Sequence, residues 1–317
     1  MIFKKNKIAI IGAGGMADEY LKVLSKLNNI RIVGICNRTK HKSLRLKKKY
    51  PIEKVFNKIN QMYNETKPDG VIVALSPDIL KKKIKEIFSP NYKYLIEKPV
   101  GLNLKESNYI KKIVKEKKIN AYVALNRRYY TSTKYLLKKI KCNKNIKRIV
   151  EVEDQEDQLL NKTIFSKKIL DNYMFVNSIH LIDYFNLFCR GNVNKIVRVK
   201  NWENKKKNIF TSYLHYSSGD LGIYRAVWNM PGPWSVKVYV KNGYYKLSPV
   251  EKIFYRKNNS RKDKKINIDY KNDRIFKPGL KLQLEDFLNV INDKKNNLPT
   301  LDISNNLMSL ISKIYKK

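Results

Sequence analysis

Two stretches of the chain carry side chains that could move a proton. Glu97-Lys98-Pro99 follows the apolar run Tyr94-Leu95-Ile96. Lys98 therefore stands at the carboxyl end of a predicted strand, with a carboxylate beside it and a proline fixing the backbone after it. A lysine there can hydrogen-bond a substrate hydroxyl or carbonyl and pass its proton. In a chain with 55 lysines, a solvated surface lysine is the competing reading. The second stretch is Phe175-Val176-Asn177-Ser178-Ile179-His180-Leu181-Ile182-Asp183, which holds one of only 3 histidines. His180 and Asp183 are three apart on a predicted helix and share a face. Such a pair can orient a substrate or relay a proton near neutral pH. A hydrogen-bonded core histidine is the alternative.

Proton-moving groups need a reacting partner, and the first thirty residues supply a place for one. The run Lys7-Ile8-Ala9-Ile10-Ile11 ends in Gly12-Ala13-Gly14-Gly15-Met16-Ala17, and an amphipathic helix follows at once. Strand, G-x-G-x-x-A turn and helix in that order form a dinucleotide-binding pattern. Gly12 permits the tight turn, Gly14 lets a pyrophosphate approach the backbone, and Ala17 lets helix and strand lie close. The helix N-terminus offers unpaired N–H groups and partial positive charge to the phosphates.

A second strand, Ile30–Cys36, ends in Asn37-Arg38-Thr39-Lys40, about twenty residues after the turn, where an acidic residue would take the ribose of NAD. Asn37 occupies that place, and Arg38 beside the Thr39 hydroxyl suits a 2′-phosphate. The expectation is therefore NAD(P), with NADP(H) favoured over NAD(H); stacking of Arg38 on the adenine is the alternative. Ligands of open α/β sheets bind outside the carboxyl ends of the strands. The cofactor positions assigned on this basis are Gly12, Gly14, Gly15, Met16, Asn37, Arg38, Thr39, Leu75, Ser76, Glu97, Lys98 and Asn126.

The elements that must hold these residues alternate strictly up to about residue 125. Val71–Leu75 is apolar throughout, as a strand buried on both faces should be. Ala121–Leu125 is the last strand of the series. The pattern predicts a doubly wound parallel sheet over 1–125, an NAD(P)-binding Rossmann domain. After Asn126 the rhythm changes. A helix to about Lys141, a strand near 146–153 running into an acidic patch (Glu151 to Asp157), and a long helix over about 174–188 precede several strand-like runs. These include 193–202, 209–216, 221–228 and 234–240. The stretch 256–274 reads as a polar excursion, and helices near 280–291 and 303–315 close the chain. The second domain, 126–317, is thus expected to be an α/β substrate-binding and oligomerisation domain with a mainly antiparallel open sheet. The closing helix is a candidate to pack back on the first domain.

Composition narrows the partners. The chain has 317 residues, 67 Lys and Arg against 27 Asp and Glu, and a net charge of +40. Only 12 of the basic residues are Arg, the better reader of phosphates and bases. The lysines are spread over every predicted helix, and Asn and Ile are also abundant. Coding bias accounts for this pattern better than a nucleic-acid surface does, and an anionic substrate is compatible with it. No apolar run is long enough to span a bilayer, and no signal peptide is read at the start. Cys36, Cys142 and Cys189 form no metal or redox pattern, so no metal is expected and a reducing cytoplasm is.

In combination the motifs are more specific than any one of them. Gly12 to Ala17, Glu97-Lys98-Pro99, Asn126-Arg127-Arg128-Tyr129 and His180-x-x-Asp183, in this order and at these separations, resemble the glucose–fructose oxidoreductase/inositol dehydrogenase (Gfo/Idh/MocA) family. Ala226–Trp234 and Phe276-Lys277-Pro278-Gly279-Leu280 resemble members associated with surface-sugar synthesis. The resemblance implies hydride transfer between nicotinamide C4 and a secondary alcohol or ketone carbon of a sugar, sugar nucleotide or polyol. It implies Lys98 and His180 as catalytic residues, Asp183 and Arg127 as substrate contacts, and a homo-oligomer formed through the second sheet; Asn177 is the candidate to take over the contact of the family Asp that this chain lacks. The chain departs from the family's D-x-G-x-H-x-x-D pattern: Val176 stands at the leading Asp and Ser178 at the Gly. A family His after the fourth strand is also missing from Ser76-Pro77-Asp78-Ile79-Leu80. The departures point away from polyol chemistry and toward a specialised substrate site. The competing functions are a catalytically degenerate NAD(P)-binding protein and a basic polyanion- or nucleic-acid-binding protein.

Overall fold

The computed structural model describes residues 5–141, 146–156, 165–199 and 208–317. Cys142, Asp157 and the end of the expected strand at 200–202 lie outside the described residues. The chain divides into two compact units. One holds the residues through Asn126 together with Arg274–Asn305; the other holds Arg127–Asp273 together with Asn306–Lys317.

The first unit is a six-stranded sheet in the order β3-β2-β1-β4-β5-β6. Its strands are β1 (Asn6–Ile11), β2 (Ile30–Cys36), β3 (Ile52–Phe56), β4 (Gly70–Val73), β5 (Lys93–Glu97) and β6 (Asn120–Ala124). Every neighbouring pair is parallel. Five helices connect them: α1 (Gly15–Leu24), α2 (Lys40–Lys49), α3 (Ile59–Thr66), α4 (Pro77–Ile87) and α5 (Leu104–Glu116). Ile8, Ile10, Val71, Ile72, Leu95 and Ile96 are all buried, because central parallel strands are covered on both faces. Strand order reverses between β1 and β4, so their carboxyl ends frame a crevice at the switch point. The Rossmann expectation holds.

Residues 274–305 return to this unit, whereas the sequence reading left all of 126–317 in the second domain. The returning segment contains the helix Leu280–Ile291, α10 in chain order. Its Ile291 and Phe287 lie against Gly70 of β4: a Cβ at Gly70 would sit 2.5 Å from Ile291 Cδ1 and 3.1 Å from Phe287 Cε1. Lys93 Nζ on β5 donates to the carbonyls of Val290 and Ile291 at 2.9 and 3.1 Å, closing the helix's C-terminal end. Val123 N–H donates to Pro299 at 2.8 Å, which extends the edge of β6. The last helix, α11 (Leu301–Tyr315), begins in the first unit and ends in the second.

The second unit is an eight-stranded sheet in the order β14-β13-β12-β11-β7-β10-β9-β8. The strands are β7 (Ile149–Glu156), β8 (Val193–Arg198), β9 (Asn208–Tyr216), β10 (Leu221–Trp228), β11 (Ser235–Val240), β12 (Gly243–Leu247), β13 (Ile253–Lys257) and β14 (Lys264–Lys265). All its pairs are antiparallel except β7 with β10, so the expected mainly antiparallel sheet is present. The stretch read as a polar excursion holds β14 and the short helix α9 (Lys271–Ile275). Its helices include α6 (Thr131–Ile140), α7 (Lys167–Leu170) and α8 (Ile179–Phe188), and α8 packs on β7 and β11. Gly222 of β10 admits α8: a Cβ there would lie 2.9 Å from the Phe185 ring. The expected single helix over 174–188 is two pieces, a π-helical turn Met174–Ser178 followed by α8.

Alternation along β7 sorts the acidic patch. Glu151 and Glu153 face outward, where Glu151 pairs with Lys237 at 3.0 Å and Glu153 with Arg225. Asp154 and Glu156 continue the inward row of Val150 and Val152 and are buried.

Phe287 is 1% exposed and packs α10 on the first sheet. Phe287→Ala should destabilise the first unit by about 3–5 kcal/mol. Denaturant unfolding followed by far-UV circular dichroism reads this as a lower midpoint; an unchanged midpoint would mean that α10 is not part of that unit's core.

Candidate dinucleotide and proton-transfer residues

In the first unit the glycine turn is built by a close approach of two strand ends. Gly12 has φ +110°, and a Cβ on it would lie 2.3 Å from the carbonyl oxygen of Ala74. Gly12 N–H donates to Cys36 at 2.8 Å and Ala74 N–H to Ile11 at 2.8 Å, so the ends of β1, β2 and β4 are tied together. A side chain at position 12 would push β4 away.

Gly14 is the N-cap of α1 and supplies no side-chain bond to the helix. The first N–H groups of α1 therefore point out with the positive end of the helix dipole. A Cβ on Gly14 or Gly15 would meet nothing within 4 Å. The space in front of these donors is open, as a phosphate cradle requires. Ala17 is fully buried against the sheet, and Asp18 in the first turn adds a favourable charge. The residues present fit a dinucleotide.

The other residues expected to meet a cofactor follow the carboxyl ends of β2, β4, β5 and β6. Asn37 is fixed by its backbone bond to Phe56 and by Nδ2 donating to the Thr39 carbonyl at 3.0 Å. Arg38 is exposed, and Thr39 is the N-cap of α2 with no side-chain bond of its own to that helix. Leu75 lies beside Gly12, with Cδ2 3.4 Å from the point where a Cβ would be. Ser76 caps α4, and its Oγ donates to Asp78 Oδ1 at 2.6 Å. Asn126 turns its Nδ2 to the Pro278 carbonyl at 3.1 Å.

Glu97 points back into the domain instead of outward. It is 9% exposed, and its Oε1 accepts from the hydroxyl of Tyr20 on α1 at 2.5 Å. Burial raises the pKa of Glu97, opposed by the Tyr20 hydrogen bond and by the charges of Lys98 and Lys277. Burial, with the carboxylate's charge added, lifts Tyr20 well above the ordinary phenol range. A neutral phenol thus holds a desolvated carboxylate between α1 and β5. Lys98 follows, half-buried, with a cis bond to Pro99. Sequence reasoning missed Tyr20. The only local signal was its place on the inward face of α1, which a polar-tipped aromatic fills as readily as a leucine.

In the second unit, Asp183 is 4% exposed and takes a bidentate pair from Arg128: Nε to Oδ2 at 2.7 Å and Nη2 to Oδ1 at 2.6 Å. Its carboxylate therefore anchors the 3-10 turn Asn126–Tyr129 to α8. His180, one turn earlier on α8, is half-buried, as are Val176 and Asn177. Asn177 Nδ2 donates to Glu156 Oε1 at 2.5 Å. The Arg127 guanidinium stacks over the Trp234 ring at 4.2 Å, and Trp234 Nε1 donates to the Gln155 carbonyl at 2.5 Å. The structure brings Asn177 and the buried Glu156 of β7 together, and it couples Asp183 to Arg128. The sequence reading contained neither pairing.

Residues 6–125 match the family described as oxidoreductase family, NAD-binding Rossmann fold (Gfo/Idh/MocA). The glucose-6-phosphate 3-dehydrogenase of Bacillus subtilis strain 168 is 25% identical over 147 residues, which cover 46% of this chain and 41% of that protein. The match thus spans less than half the length of this curated relative. A dehydrogenase from Chromobacterium violaceum superposes with a TM-score of 0.83 at 16% identity, covering 99% of this chain and 95% of that one. The WlbA dehydrogenase from Bordetella pertussis, solved in complex with NADH and UDP-GlcNAcA, superposes with a TM-score of 0.76 at 13% identity, covering 99% and 96%. These two likenesses establish the fold over nearly the whole chain. Residues 6–125, with their open glycine turn, thus match the NAD-binding Rossmann fold of the Gfo/Idh/MocA oxidoreductase family.

Proposed function

We propose that the protein is an NAD(P)-dependent oxidoreductase acting on a secondary alcohol or ketone of a sugar, sugar nucleotide or polyol. The observation that carries this reading is the open, uncapped N-terminus of α1 behind Gly14 and Gly15, within a domain of matching family. Similarity to a sugar-phosphate dehydrogenase, and to the fold of a nucleotide-sugar dehydrogenase, supports the substrate class. A nucleotide sugar, anionic through its phosphates, is the form that suits the basic chain, with surface-polysaccharide sugar synthesis as its setting. The nicotinamide cofactor, when bound, supplies the hydride acceptor or donor.

The chain's own residues do the rest. Gly12, Gly14, Gly15 and Met16 receive the diphosphate, with Leu75 and Ser76 beside the turn and Asn126 at the end of the last strand. Arg38 and Thr39, at the N-terminus of α2, favour a 2′-phosphate and so NADP(H). Lys98 holds the reacting hydroxyl and gives or takes its proton at Nζ, with the Glu97 charge beside it. His180 is the second proton-handling group. Asn177 and Arg127 contact substrate. Asp183 acts through Arg128, which it fixes.

The reading of a cofactor-binding protein without turnover draws on one specific observation. Val176 occupies the family's acidic position, and the neighbouring Asn177 is turned toward Glu156. Turnover of any sugar or nucleotide sugar decides between the two. The cytoplasm remains the proposed compartment; among the described residues no helix is long and apolar enough to cross a membrane. Ile149, Val197 and Ile209 expose apolar surface on the strands of the second sheet, which supports assembly into a homo-oligomer through that sheet.

Three outcomes are expected. Lys98→Met should lower kcat by about 10²–10⁴-fold while NAD(P)H dissociation constants stay near wild type; full activity in the variant would overturn the mechanism. Arg38→Ala should weaken NADPH binding by about tenfold and NADH binding far less; tighter NADH than NADPH binding by the wild type would reverse the cofactor preference. Ile209→Lys should shift the mass measured by light scattering toward the monomer, because a buried unpaired lysine is not tolerated at an apolar interface; a monomeric wild type would remove the oligomer proposal.

A further inference from the structure

The segment Phe276-Lys277-Pro278-Gly279, which leads into α10, belongs to the same unit as the glycine turn. Its backbone is held at two points. The Pro278 carbonyl accepts from Asn126 Nδ2, and Gly279 adopts φ 77° as the N-cap of α10. This course delivers Lys277 to the turn: its Nζ lies 3.1 Å from Met16 Sδ. Met16 is the second residue of α1, directly after Gly15.

The positive charge here is only partly matched, because Asp18 in the first turn of α1 already faces Lys49 at 3.7 Å. A thioether is a weak acceptor and does little for an ammonium group. The helix end beside it is the positive end, where a cation is disfavoured and an anion favoured. Glu97 offsets part of the charge, but its Oε1 is taken by Tyr20 and its charge also serves Lys98. A lysine placed against a helix N-terminus, in front of glycines that leave open space, is stabilised when an anion lies within reach of both. The class of anion that fits is a diphosphate ester.

We propose that Lys277 is a cofactor-binding residue whose ammonium group pairs with the diphosphate received by the N-terminus of α1. The inference rests on the dinucleotide-binding reading and adds to it a residue more than 250 positions from the turn, the separation being 261. Lys277 is exposed, so replacing it leaves the core of the unit intact.

The test is binding, not turnover. NADH and NADPH are titrated by their own fluorescence, and ADP-ribose by competition, against wild type, Lys277→Met and Lys277→Arg at one fixed ionic strength. Lys277→Met should raise the dissociation constants of all three ligands by a common factor of about ten, and Lys277→Arg should stay within about threefold of wild type. Unchanged constants in Lys277→Met would overturn the proposal. So would a loss confined to NADH and NADPH with ADP-ribose unaffected, since that would place Lys277 at the nicotinamide end. If the wild type bound none of the three, the dinucleotide-binding reading itself would fall, and this inference with it.

Discussion

The first unit depends on the contact between Gly12 and the carbonyl of Ala74. Two adjacent parallel strands leave the sheet in opposite directions at this point, and their ends can stay together only if one carries no side chain. A Cβ at 2.3 Å from a carbonyl oxygen cannot be relieved by a rotamer change, because the obstacle is backbone. With Gly12 in place, Ile11, Cys36 and Ala74 close a set of backbone hydrogen bonds at the switch point. The N-terminus of α1 is then presented toward open space. The open donors that suit a phosphate are a consequence of this packing.

A second constraint ties α1 to the strand that carries Lys98. The Tyr20–Glu97 hydrogen bond is buried, so neither partner can be satisfied by water if the other is lost. Its effect is directional. The carboxylate is held inside the domain, where it acts on Lys98 and Lys277 through its field instead of competing for a ligand. The helix that offers donors to a phosphate and the lysine suited to proton transfer are thereby fixed to the same rigid pair of elements.

The second unit handles charge by the same rule of burial with a partner. Asp154 and Glu156 sit on the inward face of β7. Burial raises the pKa of Asp154, while Tyr224 donates to its Oδ2 at 2.6 Å and in turn lies 2.6 Å from the Tyr315 hydroxyl. Asp183 is matched by the forked guanidinium of Arg128, the geometry best suited to a buried carboxylate. His180 therefore projects from a helix whose neighbouring acids are already committed to structural partners.

The sequence by itself determined what is local. An apolar run, a glycine turn and an amphipathic helix are contiguous, so their periodicity and small residues reveal the strand, the turn and the helix that follows. The same holds for the alternating strands of the second sheet and for Lys98 at a strand's end. Tertiary structure decided the pairings. Tyr20 and Glu97 are 77 residues apart, Arg128 and Asp183 55, and Met16 and Lys277 261. The return of residues 274–305 to the first unit, and the inward turn of two acids on β7, belong to the same class. A side chain's partner is set by which surfaces are brought together when the elements pack. Neither residue type nor spacing records that, because one amphipathic face can bury itself against any complementary one.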